Sequence, residues 1–295
     1  MARQDPIVLA ATLPCWRGRV RPVPLAGGLT NHNFLVEDGG NRYVVRVGGD
    51  IAAHNIVRTT EAAASRAAHA AGVSPGVHYA SSSALAIGYV EGQTLTPQDV
   101  RAPENRARLV DLIKRAHREI PRHFSGPAPM FWVFQVARQY DRALRELESS
   151  HVPALPALAR MAESLERSVG PIDLVFGHND LLAGNLLDDG ERLWLIDWEY
   201  AGFNSPLFDI GGLASNSEAS REALEDMMEL YFERPIDDDL RRRMAAMMAA
   251  SLLREALWGM VSEQTSAIGL DYRAYTTENL RRFHAAYAAF EDMTE

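Results

Sequence analysis

The stretch from Phe176 to Gly202 reads FGHNDLLAGNLLDDGERLWLIDWEYAG, and the rest of the chain is best read outward from it. Asp180 and Asn185 stand on one loop that also holds Ala183-Gly184, and Asn185 begins a strand. The chain turns at Asp189-Gly190 and returns through Leu193-Trp194-Leu195-Ile196 to Asp197. Such a hairpin brings Asp197 back to the end from which Asn185 set out, so two carboxylates and an amide oxygen can meet around one cavity. That donor set suits magnesium-dependent phosphoryl transfer. Mg²⁺ takes oxygen ligands and keeps waters and substrate phosphates, so one carboxylate and one amide from the protein suffice. A separate carboxylate accepts the hydroxyl proton and aims the attacking oxygen. In this reading Asp180 is the base, and Asn185 and Asp197 are the metal ligands. Taken singly, Asp180, Asn185 and Asp189 read equally well as turn formers; that account leaves Asp197, at the end of an apolar strand, unexplained. His178 reads as a packed, hydrogen-bonded structural histidine.

Upstream the pattern is β-rich with one helix. Asn33–Val36 is a short strand, Asp38-Gly39-Gly40-Asn41 a hairpin turn, and Arg42–Val47 the returning strand. Ala52–Ala71 is alanine-rich and helical, closed by Gly72, and Ser83–Tyr89 is a buried-type strand. Glu91-Gly92-Gln93-Thr94 is a polar break. Beyond it, Pro103–Ile120, Phe134–Ser149, Ala219–Tyr231, Asp238–Ser262 and Tyr275–Phe290 have helical spacing, with the hairpin embedded among them. The expected class is α+β, with a small β-rich lobe over residues 1–90 and a larger helical lobe over residues 91–295.

Composition narrows the possible functions. Over 295 residues, 47% hydrophobic and 23% charged content exclude wholesale disorder, collagen-like repeats and a coiled coil. A net charge of −9 disfavours nucleic acid and anionic lipid and suits a cationic or metal-bound ligand. The single cysteine, Cys15, excludes an intrachain disulfide and a cysteine-based zinc site. The N-terminal MARQDPIVLAATLPCW lacks a basic segment leading into a long apolar run, and no apolar run approaches the roughly 18 residues of a spanning helix. The expectation is a cytoplasmic protein with no membrane span and no nucleic-acid partner. Lys114 is the only lysine.

HNDLLAGN fits H-x-D-x-x-x-x-N, the catalytic loop of kinases, and IDWE stands where protein kinases carry D-F-G. Continued as IDWEYAGFNSPLFDIGGLASN, the stretch resembles the choline/ethanolamine kinase branch of the aminoglycoside phosphotransferase-like superfamily. The resemblance runs from Leu25 to about Phe290 and implies a bilobal protein-kinase-like fold that uses ATP and Mg²⁺. GGLTN, with Gly27, Gly28 and Asn31, resembles the family's nucleotide loop, where backbone N–H groups approach phosphate. Arg46, in VVRVGG, stands where protein kinases place a phosphate-holding lysine, and arginine grips phosphate through two hydrogen bonds. Glu61 on the following helix is its implied ion-pair partner. Ile87–Glu91, with Tyr89, is the implied hinge beside adenine.

The acceptor implied by the resemblance is a small cationic alcohol. Ring faces and carboxylates replace the water lost by a quaternary ammonium. Trp198, Tyr200 and Trp258 are candidate walls, with Glu199 and Asp209 as acidic neighbours; Asp209 is expected to brace the catalytic loop. Leu252–Phe283 resembles the C-terminal segment of choline kinases, with Trp258, Gln264 and Asp271-Tyr272 in matching order. Tyr275 and Phe283 are expected in the core. Eukaryotic choline kinases carry further acidic and aromatic residues where this chain has Leu213-Ala214-Ser215-Asn216, so ethanolamine, thiamine or another amino alcohol fits as well as choline. An aminoglycoside kinase and a catalytically silent ligand-binding protein are the competing readings.

Overall fold

In the computed structural model, which describes residues 5–25, 31–266 and 269–293, the first lobe grows from one hairpin. Helix α1 (Pro6–Ala11) precedes strands β1 (Val23–Leu25), β2 (His32–Asp38) and β3 (Asn41–Val47). Gly39 and Gly40 join β2 to β3 with φ of 57° and 80°. Both angles are left-handed, as required by a two-residue turn that follows strand twist. After helix α2 (Arg58–Ala70), strands β4 (Val77–Ala80) and β5 (Ala84–Gly88) complete an antiparallel sheet of order β1-β2-β3-β5-β4. Alternation sorts its faces. Phe34, Val36, Val45, Val47, Ala84 and Ala86 pack with Ala10 and Leu13. Arg46, between Val45 and Val47 and paired with Asn33 and Leu85, turns to the opposite face.

Helix α2 starts later than the alanine content suggests. Residues 52–54 make a single 3-10 turn and Asn55 takes a left-handed φ of 57°. The helix begins at Arg58, whose backbone N–H is capped by Asp50 Oδ1 at 2.8 Å. Alanine propensity is a weak force beside this side-chain cap and the β-branched Ile56-Val57 pair before it. The far end closes as read from sequence: Gly72 has φ 73° and the Val73 N–H donates to the Ala68 carbonyl.

The connector leads into β6 (Gln93–Thr94), where a Cβ on Gly92 would overlap the Asp188 carbonyl. Helices α3 (Pro97–Arg101), α4 (Pro103–His123), α5 (Val133–Glu146) and α6 (Leu155–Val169) follow. Strand β7 (Val175–Gly177) opens the central segment, and β8 (Leu186–Asp188) and β9 (Leu193–Leu195) form its hairpin beside β6. Strand β10 (Gly202–Asn204) pairs back on β7. Helices α7 (Pro206–Asn216), α8 (Arg221–Phe232), α9 (Asp238–Thr265) and α10 (Tyr272–Asp292) complete the second lobe.

Helix α9 is buried without a break from Ala249 to Ser262 and packs against α5, α6, α7 and α10. By length and composition it is the one helix among the described residues that could cross a membrane, although Arg254 and Glu255 interrupt its apolar run. Of its apolar window 89% is buried inside the protein, because a helix surrounded by others is apolar on every side. The whole is a bilobal, protein-kinase-like α+β fold.

Candidate active site

The catalytic loop between β7 and β8 is held from behind by one carboxylate. Asp209 on α7 accepts hydrogen bonds from the backbone N–H groups of His178 (2.7 Å) and Asn179 (2.8 Å) and from His117 Nε2 (2.9 Å). Burial works against its charge, but His117 and these donors hold the carboxyl below its ordinary range. Asn179, at a left-handed φ of 66°, spends its side-chain amide on the carbonyls of Tyr200 and Gly202, at 3.0 and 3.1 Å. His178 sets Nε2 2.8 Å from the Ile196 carbonyl, and its Nδ1 accepts the Asp180 N–H at 3.3 Å. That arrangement fixes a neutral ring, and burial lowers its pKa accordingly. These three residues shape the loop and leave Asp180 free to face the cleft.

Asp180, Asn185 and Asp197 line a single cavity of about 610 Å³ between the lobes. The Asn185 amide nitrogen donates to the Asp180 carbonyl at 2.9 Å, which leaves its oxygen for another partner. The Ile196 N–H donates to the Asn185 carbonyl at 3.0 Å, tying the two ends of the hairpin together. Asp197 follows with a left-handed φ of 69°, and its Oδ1 is buried without a hydrogen-bond partner. Burial, then the nearby Glu199 and Glu61, raises the Asp197 pKa well above the ordinary carboxylate range. Burial likewise pushes Asp180 up to about 7, against the opposing pull of Arg254. An orphaned carboxylate oxygen beside a free amide oxygen, in a negatively charged pocket, fits a hard divalent cation. Among the described residues no cluster of three or more His, Cys, Asp or Glu side chains could hold a metal. A two-ligand Mg²⁺ site completed by phosphate and water needs no such cluster.

Behind Glu199, which lines the cavity, lies a buried ion network that sequence reading captured only in part. Arg46 Nε lies 2.8 Å from Glu61 Oε1, as the resemblance implied. Arg58, which the sequence reading passed over, has no exposed side-chain surface and is the hub. It donates to Glu61 Oε2 at 2.7 Å, Glu199 Oε2 at 2.9 Å, Asn31 Oδ1 at 2.6 Å and the Gly49 carbonyl at 2.9 Å. Burial opposes its charge, but Glu61 and Glu199 outweigh it and raise its pKa. Burial, as the largest influence, lowers that of Arg46. Asn31 is thus a buried link in this network, and Gly27 and Gly28 lie outside the described residues. Glu199 lines the cavity, and its Oε2 is committed to Arg58 and Asn31, so it also joins the lobes. The i,i+3 spacing of Arg58 and Glu61 was the available signal for the hub.

At the hinge, Tyr89 lines the cavity with the Arg42 guanidinium 4.3 Å from its ring centroid. Its N–H donates to the Arg42 carbonyl at 3.0 Å. At the other end of the cleft, Tyr200 and Trp258 are walls, joined by Trp258 Nε1 donating to the Tyr200 hydroxyl at 3.0 Å. Three other expected acceptor residues stand elsewhere. Trp198 is 2% exposed and donates to Ser74 Oγ at 2.7 Å, because the residue after Asp197 points to the core side of the strand end. Gln264 is exposed near the end of α9, two turns from Trp258. Tyr272 packs behind Trp258, with ring centroids 5.8 Å apart, and its hydroxyl meets Ser266 Oγ at 2.6 Å. Tyr275, expected in the core, lines the cavity, whereas Phe283 is fully buried as expected.

Sequence reading also missed Arg254 and Glu255. Arg254 Nη1 reaches Asp180 Oδ1 at 3.3 Å and also meets Glu255 Oε1, while its guanidinium lies 4.5 Å from the Tyr200 ring centroid. Glu255 Oε2 accepts the Tyr275 hydroxyl at 2.6 Å. Their signal lay in plain sight: they are the only charged residues between Met244 and Ser262, and buried charge in a core helix needs a reason.

Comparison with known proteins gives the chain its family. The choline/ethanolamine kinase family model matches residues 23–222. Protein LicA of Haemophilus influenzae is 30% identical over 220 residues, covering 71% of this chain and 62% of its own length. Ethanolamine kinase 2 of Mus musculus is 26% identical over 300 residues, covering 92% and 77% respectively. The crystal structure of a choline/ethanolamine kinase family protein from Mesorhizobium loti superposes with a TM-score of 0.76 at 29% identity, covering 95% of this chain and 92% of that one. With a matching family model over two thirds of its length and the catalytic hairpin in place, this chain belongs to the choline/ethanolamine kinase family.

Proposed function

We propose that this protein transfers the γ-phosphoryl group of ATP to the hydroxyl of choline or ethanolamine. The observation that carries the reading is the convergence of Asp180, Asn185 and Asp197 on one cavity, beside Glu199, which Arg58 ties to the Arg46–Glu61 ion pair behind the wall. Leu25, Val44 and Ile87 on one side and Leu187 and Ile196 on the other make an apolar slot suited to a planar base, beside the hinge at Tyr89. The phosphates then extend toward Arg46 and Asp197. Asn185 Oδ1 and the unpartnered Asp197 Oδ1 are the groups that would hold Mg²⁺, which when bound neutralises charge on the β- and γ-phosphates. Asp180 accepts the proton of the acceptor hydroxyl as its oxygen bonds to the γ-phosphorus. The bond to the β,γ-bridging oxygen breaks and ADP departs with that electron pair.

The charges support this division of labour. Arg46 and Arg58 balance Glu61 and Glu199, Arg254 pairs with both Asp180 and Glu255, and Asp197 stands in none of these ion pairs. The remaining negative excess is what a divalent cation and a cationic acceptor would neutralise.

The test is ADP release with ATP and Mg²⁺ against a panel of choline, ethanolamine, thiamine and an aminoglycoside. Turnover of choline or ethanolamine, abolished in Asp197→Ala while its thermal transition persists, is the expected outcome. Nucleotide binding by calorimetry without turnover of any acceptor would replace the reading with that of a silent binding protein.

A further inference from the structure

The acceptor end of the cleft holds a carboxylate for which the phosphoryl transfer above has no use. Glu255, 8% exposed, stands on α9 about one turn before Trp258 and lines the same cavity as Asp180. Both its oxygens are fixed, Oε1 by Arg254 Nη1 and Oε2 by the Tyr275 hydroxyl. The same Arg254 nitrogen touches Asp180 Oδ1, so one guanidinium sets the spacing between the base and Glu255. Meanwhile the ring faces nearby are taken. The Arg254 guanidinium covers Tyr200, and His54 stacks on Trp258 with centroids 5.2 Å apart and 28° between planes. Helix α7 supplies no acid to the cavity: Asp209 is turned to the back of the catalytic loop, and Asn216 at the helix end directs Nδ2 to the Leu181 carbonyl and is not among the cavity's lining residues.

A quaternary ammonium has no N–H and depends on open aromatic faces. An ammonium that does carry N–H recovers its lost hydration only from oxygen acceptors, and best from a carboxylate. This site offers the second kind of partner and has used up much of the first. We propose that Glu255, clamped by Arg254 and Tyr275, is the specificity-determining residue that receives the acceptor's ammonium, and that it selects two-carbon amino alcohols bearing N–H donors over the trimethylated one. The proposal rests on the kinase reading above and narrows it. The hydroxyl lies at Asp180, the ammonium at Glu255, and Arg254 holds the two carboxylates at a separation that a two-carbon chain can bridge.

Steady-state kinetics with ethanolamine, its N-methyl and N,N-dimethyl derivatives, and choline test this on the wild type, Glu255→Gln and Glu255→Asp, with ATP binding by calorimetry as a folding control. We expect wild-type kcat/KM to fall along the series, with choline about tenfold or more below ethanolamine. Glu255→Gln should raise the ethanolamine KM roughly 20-fold with kcat within about threefold, and should narrow the gap to choline. Glu255→Asp should recover part of the loss. A wild type that prefers choline overturns the proposal, whether or not the variants fold. So does an unchanged KM in Glu255→Gln, or a loss confined to kcat. A wild type that binds ATP yet turns over none of the four overturns the kinase reading itself, and this inference with it.

Discussion

At the level of single residues, the site stores electrostatic strain that its ligands would relieve. Asp180 has an ordinary pKa of 3.8 and is pushed up to about 7 in the fold. Between those values the folded protein keeps a proton that the unfolded chain releases, so raising the pH across this window destabilises the fold. Replacing the carboxylate by an amide removes that dependence. We therefore expect Asp180→Asn to gain stability relative to wild type, by about 2 kcal/mol more at pH 7.5 than at pH 5, in urea unfolding of the ligand-free protein. A gap that does not change with pH would contradict the assignment. The buried, partnerless Asp197 Oδ1 belongs to the same pattern, in which a group costly to the empty fold is placed where charge must be bound.

At the level of elements, the catalytic loop is only as rigid as its link to α7. Asp209→Ala would leave the His178 and Asn179 N–H groups and the His117 ring buried without their shared acceptor. We expect a loss of about 3–5 kcal/mol, faster hydrogen exchange at the His178 and Asn179 amides, and reduced kcat. Asp209→Asn, which keeps one acceptor oxygen, should restore part of each. Unchanged exchange at those two amides would mean that the loop holds its shape without α7. The β2–β3 hairpin is simpler, since its turn, strands and register all follow from neighbouring residues, and it formed as the sequence indicated.

Across the whole molecule, buried hydrogen bonds tie the two lobes together. Arg58 bonds Glu199, His54 contacts Tyr140 and Ser262, and Ser74 bonds both the Leu195 carbonyl and Trp198. Burial lowers the His54 pKa to about 3, so this peg enters the second lobe as a neutral ring. Such ties make cooperative unfolding the expected behaviour, with one calorimetric transition for the wild type. Arg58→Met leaves Glu61 and Glu199 buried without their common cation. It should cost about 3–5 kcal/mol and uncouple an earlier transition of the first lobe. Calorimetry showing a single transition at the wild-type temperature would mean that the network adds nothing to lobe cohesion.

The sequence by itself determined what depends on neighbours along the chain. It carried the Gly39-Gly40 turn, the alternation that sets Arg46 apart from Val45 and Val47, and the hairpin returning Asp197 toward Asn185. Periodicity and turn chemistry act over a few residues and survive any tertiary context that accepts them. Only the folded structure decided where side chains from distant elements point. It turned Trp198 inward to Ser74, drew Glu199 across to Arg58, left Gln264 exposed, and gathered Arg254, Glu255 and Tyr275 around Asp180. Packing of α9 against α10 and of one lobe on the other sets those positions, and no local pattern encodes a distance between residues 180 and 255.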